Sequence, residues 1–403
     1  SSEDEGKFVK RLVSKSEDLE PDRVFKSEPM DLASNRSLFE IGHNFEDVQN
    51  WLNIEQPSKT PLKNILRYMV ENHLSTTVQI EINKMYFNCH LLVLQSYSKF
   101  FLELDVVPLV VTLPEEKVSQ KAFMVIYKWM ISDEPTLERK SILEVFVAAT
   151  YLRIESLLLH CWKYFKDIEC FNEDSACILY IETKNNPALD IVRNLMLTRI
   201  RKFLLTFVAT RDFLDVPINH LIYLLSSSDI CINTEVEILF IMVRWLGHDW
   251  MQRQTHVSSL IPCIRLDWMP LWYLLYVRQV ETHKLVKELI NSRKVNAIFN
   301  EAISKITSKM YEQKVDDKSE NSLDMITSSE QRKWIQDEMC PYFHHIGCPY
   351  TRNISFAQFE SYLTALQGQS RYRWATVELI DLKEPKQCCI TLHDVKTKAA
   401  FKD

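Results

Sequence analysis

Glycine is rarer than tryptophan in this chain, and its scarcity limits the folds available. The 403 residues include five glycines, where ordinary usage of about 7% would give about 28. No two of the five lie close together, which excludes dinucleotide-binding fingerprints, phosphate-binding loops and nucleophile elbows. A kelch-type β-propeller is excluded as well, because each blade carries its own glycines. Helices tolerate such a composition better than tight β-turns do, so we expect a mostly α-helical protein.

The rest of the composition is that of a globular protein that binds neither nucleic acids nor membranes. Apolar residues make up 46% and charged residues 25%, as in ordinary folded proteins, and the length suggests two to four domains. A net charge of −6 argues against a nucleic-acid surface, and no apolar run reaches the roughly 18 residues of a membrane span. The ten scattered cysteines indicate an intracellular compartment, the cytoplasm or the nucleus.

The first 56 residues are polar and rich in charge, which predicts a disordered tail over 1–56. The chain starts at Ser1 rather than Met, so we expect a fragment of a longer protein. Within the tail, Phe25-Lys26-Ser27-Glu28 fits the short pattern of a SUMO acceptor, with Lys26 as the modified residue. The alternative is an unmodified, solvated tail.

A small α+β domain is predicted over 57–167. Four apolar residues at helical spacing predict its first helix, and strict alternation over 77–82 predicts a half-buried strand. Asn83-Lys84 then supplies the turn to a second strand. The four apolar residues are Leu62, Ile65, Leu66 and Met69. The later elements are a helix over 91–102, a strand over 108–113, and helices near 119–131, 138–151 and 155–166.

Several segments of this region resemble the BTB (POZ) family. The resemblance covers about Pro61 to Phe165 and implies a homodimer formed through the first helix, with Leu62, Ile65, Leu66 and Met69 at dimer-facing positions. The alternative is that this face packs only on its own domain. The segments are Met85-Tyr86-Phe87-Asn88-Cys89-His90, Ser96-Tyr97-Ser98-Lys99-Phe100-Phe101, Leu113-Pro114 and Val147-Ala148-Ala149-Thr150-Tyr151-Leu152.

An all-α domain is predicted over 168–312. The run from Leu221 to Glu237 and the later Val243-Arg244-Trp245 resemble the BACK domain, which follows BTB in many adaptor proteins. Independently of that resemblance, Thr234 and Glu237 have the spacing of a capping box. The helix that follows is predicted to bury one stripe. The stripe is Val236, Leu239, Phe240 and Val243.

A charged, Ser-rich linker over 313–329 separates this domain from a small C-terminal α+β module of unknown family over 330–403. In the module we predict a helix over 357–366 and strands over Ala375–Ile380 and Cys389–Leu392. The fold class is therefore mostly α, with a small N-terminal BTB-like α+β domain, an all-α BACK-like domain and a C-terminal α+β module.

No pattern in the sequence points to catalysis or to a cofactor, so we predict a protein that is not an enzyme. Histidines such as His160, His220 and His283 stand singly among apolar or helical patterns, and no recognisable motif places a Ser or Cys nucleophile beside a base. The nearest approach to a metal site is Cys340, His344, His345 and Cys348. Zinc signatures usually set two short pairs apart by a longer loop. We therefore predict packing residues here, and no zinc.

The family resemblance implies a protein-interaction adaptor. Many BTB-BACK proteins recruit the cullin-3 ubiquitin-ligase scaffold through the BTB domain and bind a substrate through a C-terminal domain. By analogy, Phe101, Leu102, Glu103, Leu104 and Tyr151 would face cullin-3. The BACK and C-terminal regions, above all 330–403, would bind an unidentified protein substrate.

The sequence departs from the family pattern in two places, the first of which predicts an apolar or absent pocket at the dimer and the second of which argues against cullin-3 recruitment. Thr77 and Leu92 occupy positions that form a charged pocket at the dimer in other members. The loop before the third strand is short, about 104–108, so the apolar-x-Glu letters Phe101-Leu102-Glu103 fall inside the helix. The second hypothesis is therefore a dimeric scaffold or nuclear cofactor that clusters partner proteins without ubiquitin.

Overall fold

The computed structural model describes residues 35–44, 53, 55, 57–315, 329–342 and 354–380, with the backbone alone for 313–315. The chain divides into two compact units at the boundary between Leu66 and Arg67. Most of the predicted tail, Lys26 included, lies outside the described residues. One stretch of that tail forms a turn, in which Ser37 and Glu40 exchange side chain–backbone hydrogen bonds of 2.7 and 3.1 Å.

The described elements are mostly helices, as the glycine content predicts. Two small sheets accompany them. In chain order the elements are α1 (Leu62–Glu71), β1 (Val78–Ile82), β2 (Met85–Cys89), α2 (Leu91–Tyr97), α3 (Lys99–Leu102), β3 (Val110–Thr112), α4 (Gln120–Ile131), α5 (Ile142–Leu152), α6 (Glu155–Lys166), α7 (Glu173–Glu182), α8 (Asp190–Leu197), α9 (Leu204–Val208), α10 (Ile218–Ser226), β4 (Cys231–Ile232), α11 (Val236–His248), α12 (Trp250–Arg253), α13 (Val257–Leu260), α14 (Leu271–Val280), α15 (Lys284–Asn291), α16 (Arg293–Val315), β5 (Lys333–Trp334), α17 (Phe356–Gln367) and α18 (Arg373–Thr376).

The first sheet has the strand order β2-β1-β3 and confirms the predicted hairpin. Ile80 lies opposite Phe87 on the antiparallel side and opposite Val111 on the parallel side. Asn83 and Lys84 both have positive φ, 45° and 65°, as the two central residues of a type I′ turn must. The apolar residues of β1 are buried and its polar residues are not, so the alternation sets which face meets the core.

The predicted helix over 91–102 is broken in two at Ser98. The extended backbone of Ser98 ends α2, and its hydroxyl accepts a hydrogen bond from the Phe101 N–H at the start of α3. The same hydroxyl donates to the carbonyl of Leu152 at the end of α5, 2.6 Å away. Ser98 therefore caps α3 and ties it to α5.

His90, between β2 and α2, joins three parts of the BTB-like region. Its Nε2 lies 2.7 Å from the Leu74 carbonyl, and its backbone N–H donates to the Tyr127 hydroxyl at 3.0 Å. A carbonyl only accepts, so Nε2 carries the proton and Nδ1 accepts from the Tyr127 O–H at 3.0 Å. Burial raises the pKa of Tyr127, which keeps this hydroxyl protonated.

Helix α11 lies at the centre of the BACK-like region and is buried on every face over Val236–Val243. The sequence predicted one buried stripe, and that prediction was too narrow because the C-terminal segment covers another part of the helix. Phe356 and Phe359 of α17 lie 5.6 and 5.5 Å from the Phe240 ring. Strand β5 pairs in parallel with β4. The segment after 329 thus completes the helical core.

A fully buried ion pair anchors the C-terminal segment beside α11. The guanidinium of Arg332 lies 3.0 Å from the carboxylate of Glu235, and both side chains are at most 1% exposed. Arg332 also donates to the carbonyls of Ser227 and Cys263, at 2.8 and 2.6 Å. Glu235 accepts in addition from the Arg265 N–H at 2.8 Å. Additional hydrogen bonds to both members of a buried charge pair offset the cost of removing the charges from water.

A second buried network surrounds Glu237. Its carboxylate accepts from the Asn233 backbone and side-chain amides, both at 2.8 Å, and from the Tyr342 hydroxyl at 2.8 Å. Tyr362 donates to Asp337 at 2.6 Å, and Asp337 accepts further from Arg373. The predicted capping box is therefore corrected: Glu237 reaches back to Asn233, and its carboxylate also meets Tyr342 of the C-terminal segment.

The predicted strand over Ala375–Ile380 is wrong. Residues Arg373–Thr376 form the short helix α18, and only Leu379 makes a β-bridge, to Ile335. The tertiary contacts of this stretch account for the difference, because Trp374 packs edge-on against Phe203 at 5.7 Å. Such contacts override intrinsic β-propensity. The predicted helix over 357–366 is confirmed, whereas Cys389–Leu392 lies outside the described residues.

We predict that Arg332→Met lowers the free energy of unfolding by about 3–5 kcal/mol, because it leaves the buried Glu235 carboxyl group without its guanidinium partner. Lys305→Met is the matched control, since Lys305 pairs with Glu301 at 2.6 Å on the exposed surface and should change stability by at most about 0.5 kcal/mol. Denaturant unfolding of both variants measures the effect. Equal, small effects would show that the buried pair does not hold the segment.

We further predict an unusual pH dependence from Glu237. Burial raises its pKa from 4.5 to about 7, so between these values the folded state keeps a proton that the unfolded state has lost. Unfolding free energy therefore falls as pH rises through this window, by up to about 1.4 kcal/mol per pH unit.

Glu237→Gln removes this slope, so the stability difference between wild type and variant should shrink from about pH 5 to about pH 7. Denaturant unfolding across that range measures it. Glu301→Gln is the control, because Glu301 is exposed and its pKa is lowered, which leaves it ionised in both states there. Parallel profiles for wild type and Glu237→Gln would contradict the assignment.

Candidate interaction surfaces

The apolar stripe of α1 is exposed to solvent in the single chain. Leu62, Ile65 and Leu66 are 63%, 44% and 47% exposed, Met69 is half-buried, and no residue of the helix is fully buried. A contiguous exposed stripe of this kind is typical of a protein–protein contact.

The residues predicted to face cullin-3 do not share one environment. Phe101 is fully buried, so its proposed role as a surface contact is corrected: it belongs to the domain core. Leu102 is 61% exposed, Leu104 is half-buried, and Glu103 forms an exposed ion pair with Arg153 at 2.6 Å.

Tyr151 is half-buried on α5. Its ring lies 5.4 Å from the ring of Phe100, which in turn packs edge-on against Phe101. Tyr151 therefore supports the packing between α3 and α5 as well as offering an edge to solvent. A large loss of stability is expected when an aromatic side chain in such a cluster is truncated.

Two exposed apolar residues between α3 and β3 escaped the sequence analysis. Val106 and Leu109 are each 82% exposed. The sequence placed Val106 in the short loop over 104–108 and Leu109 in the predicted strand over 108–113. Together with Leu102 they give this connection three exposed apolar side chains. The sequence indicates their exposure only weakly, because the pairing of strand β3 determines which residues of this stretch point into the core.

The positions that depart from the family's charged pocket are both at the surface. Leu92 is 72% exposed. Thr77 is exposed too, and its hydroxyl accepts a hydrogen bond from the Leu91 N–H at 3.0 Å. Thr77 thus satisfies an amide at the first turn of α2, a local structural role.

The possible metal ligands are described only in part. Cys340 is buried, and burial raises the pKa of its thiol well above the ordinary value, which disfavours the thiolate that a metal binds. His344, His345 and Cys348 lie outside the described residues. Among the residues described, no group of three or more His, Cys, Asp or Glu could hold a metal ion.

None of the described helices combines the length and the apolar character that a bilayer crossing needs.

Comparison with known families identifies both predicted domains. The BTB/POZ domain model matches residues 66–169, and the BACK model ("BTB And C-terminal Kelch") matches residues 180–279. The chain is a BTB–BACK protein. A third model, a domain of unknown function (DUF4734), matches residues 288–377.

The boundaries of the DUF4734 match differ from the domain boundaries that the sequence predicts. The match includes helices within 288–315, which we assigned to the BACK-like region up to residue 312, and it crosses the predicted linker over 313–329. Our boundaries at 57–167, 168–312 and 330–403 remain predictions. The described contacts of the segment after 329 with α11 indicate that this part of the BTB–BACK protein packs as an extension of the BACK core.

The chain is similar to kelch-like proteins. It is 25% identical over 244 residues to Kelch-like protein 40b of Danio rerio, covering 57% of this chain and 38% of that protein. It is 24% identical over 190 residues to human Kelch repeat and BTB domain-containing protein 12, covering 45% and 29%. The chain thus spans about a third of the length of the curated relatives it matches.

Among solved structures, the BTB domain of zebrafish PATZ1 matches with a TM-score of 0.25 and 16% identity. The match covers 28% of this chain and 98% of that one.

Proposed function

We propose that this BTB–BACK protein is a dimeric protein-interaction adaptor. The observation that carries the proposal is the exposed apolar stripe of α1, in a domain whose family model is BTB. A stripe of Leu and Ile side chains in water is unfavourable, at about 25 cal/mol per Å² of apolar surface. A second copy of the same helix would cover it, and an interface related by twofold symmetry uses the same patch on both subunits.

We infer further that the adaptor recruits a partner protein to cullin-3. Support comes from the similarity to kelch-like proteins and from the three exposed apolar side chains at Leu102, Val106 and Leu109. Exposed apolar side chains that cluster on one connection are typical of residues buried by a partner. The contact surface would include the outer edge of Tyr151.

The alternative is a dimeric scaffold or nuclear cofactor that clusters partners without ubiquitin. The burial of Phe101 and the pairing of Glu103 with Arg153 favour it. In the apolar-x-Glu pattern over 101–103, the apolar residue Phe101 is buried rather than exposed, and the carboxylate of Glu103 is paired with Arg153 rather than free. Direct measurement of cullin-3 binding separates the two proposals.

The dimer is tested with Leu66→Asp combined with Met69→Asp, which places two charges in the stripe. We expect the wild type to be a dimer and the variant a monomer, because an unpaired charge is costly in a desolvated interface. Light scattering at micromolar concentration measures the mass of each. Asn64→Asp, on the opposite side of the same helix, is the control and should stay dimeric. A monomeric wild type would rule the proposal out.

Cullin-3 binding is tested by calorimetry with Leu102→Asp. We expect at least a roughly ten-fold loss of affinity and an unchanged melting temperature, because Leu102 is exposed. Ile191→Asp, an exposed apolar residue of α8 in the BACK region, is the matched control. Tyr151→Ala should lower both the affinity and the melting temperature, since its ring packs on Phe100. Absence of wild-type binding at tens of micromolar would retire the ligase proposal and leave the scaffold.

A further inference from the structure

A cavity of about 430 Å³ lies where the C-terminal segment packs on the BACK region. We call it the junction cavity. Residues of α7 and α9 and the residues flanking α9 line one side, and residues of α17 and α18 line the other. Its apolar lining includes Ile178, Phe203, Leu366, Trp374 and Val377. Ile178 is 41% exposed, which is high for an apolar residue lining a pocket inside one compact unit.

The indole N–H of Trp374 is a buried donor without a hydrogen-bond partner among the described residues. The Trp374 ring is held in place by its edge-on contact with Phe203. A buried indole N–H nearly always finds an acceptor, and one that lacks a partner costs free energy. Trp374 is one of the residues that line the cavity, so a ligand acceptor that reaches this N–H would satisfy it.

The charges around the cavity leave an excess of one positive charge. Lys202, Arg371 and Arg373 line it together with the carboxylates of Asp174 and Asp337. Asp337 is held by Arg373, and Lys202 donates to a backbone carbonyl at 2.8 Å. Arg371 is 65% exposed, and its nearest carboxylate oxygen, on Asp174, is 3.6 Å away. Arg371 is thus the cation of the set that is most available to a ligand.

We propose that the junction cavity binds a short peptide segment of a partner protein, in which a large apolar side chain lies next to an acidic residue. The apolar side chain enters between Ile178, Phe203 and Leu366. The acidic residue pairs with Arg371, and a peptide carbonyl accepts from the Trp374 N–H. This inference deepens the proposed adaptor function by naming a recruiting site, and it rests on that function.

A peptide fits the cavity better than a cofactor does. Its volume is near the lower end of the roughly 300–1,000 Å³ that ligand sites occupy, enough for one or two apolar side chains. Its polar groups are few and of a kind that carbonyl and carboxylate oxygens satisfy. Arginine and tryptophan are also the residues that most often dominate the energetics of protein interfaces.

The test starts from a phage-displayed library of random dodecapeptides, selected on the wild-type 403-residue chain and counter-selected on Arg371→Glu. We expect enriched sequences with an apolar residue beside Asp or Glu. Calorimetry then measures a synthetic enriched peptide against three variants. Arg371→Glu should weaken binding at least roughly ten-fold through charge reversal.

Trp374→Phe keeps an aromatic ring but removes the N–H donor and part of the indole, so it should weaken binding roughly two- to ten-fold and lower the melting temperature only slightly. Arg211→Glu reverses an exposed arginine that does not line the cavity, and it should bind like the wild type. Failure to enrich any peptide, or peptides that bind Arg371→Glu and Trp374→Phe as tightly as wild type, would overturn the inference.

The occupant could instead come from the chain itself. A synthetic peptide of residues 381–392, which follow Ile380 directly, is therefore titrated in competition. Displacement of the selected peptide by this one would assign the cavity to the chain's own segment and overturn the partner proposal.

Peptide binding and cullin-3 binding of the wild-type protein, measured side by side, separate failure of the recruiting site from failure of the ligase role. No peptide binding with intact cullin-3 binding removes the recruiting site alone. Peptide binding without cullin-3 binding removes the ligase role alone.

Discussion

The packing of the BACK region depends on placing two carboxylates, Glu235 and Glu237, where water cannot reach them. A side chain from beyond residue 329 meets each of them, Arg332 in one case and Tyr342 in the other, and adds to the hydrogen bonds that Arg265 and Asn233 donate. A buried charge without such partners costs several kcal/mol. The chain after the predicted linker is therefore required for the start of α11 to be buried, and it belongs to the same cooperative core.

This dependence changes where a partner-binding site is to be sought. A C-terminal module joined by a linker would offer its own outer surface to a substrate. Here the described part of the segment gives several large side chains to the core, with Phe356, Phe359 and Tyr362 all buried, whereas Tyr372 and Leu379 are exposed. Among the described residues, the seam between the segment and the BACK region is a place for recognition, because the cavity and its exposed Arg371 lie there. A ligand bound at such a seam would stabilise the packing of both parts, because it binds only when they are assembled.

The sequence predicted the BTB fold well because its signals are local. Alternation in β1 and the turn at Asn83-Lys84 each determine structure within a few residues. The BACK–C-terminal packing could not be predicted in this way, since Glu237 at capping-box spacing reads as a surface residue and its partner Tyr342 is over a hundred positions away. The helix at Arg373–Thr376 replaced a predicted strand for the same reason: its contacts with Phe203 and Asp337 are invisible to periodicity.

The difference between exposed and buried residues also bears on whether the protein binds cullin-3. Pairing of Glu103 with Arg153 argues only weakly against a partner, because both side chains are about half exposed and such pairs are worth at most about 1 kcal/mol. A partner could break it at little cost. Burial of Phe101 is a stronger constraint, since exposing a core aromatic costs about 3–5 kcal/mol when judged by truncation. The choice between adaptor and scaffold therefore rests on Leu102, Val106 and Leu109, whose exposed surface a partner can bury without disturbing the domain.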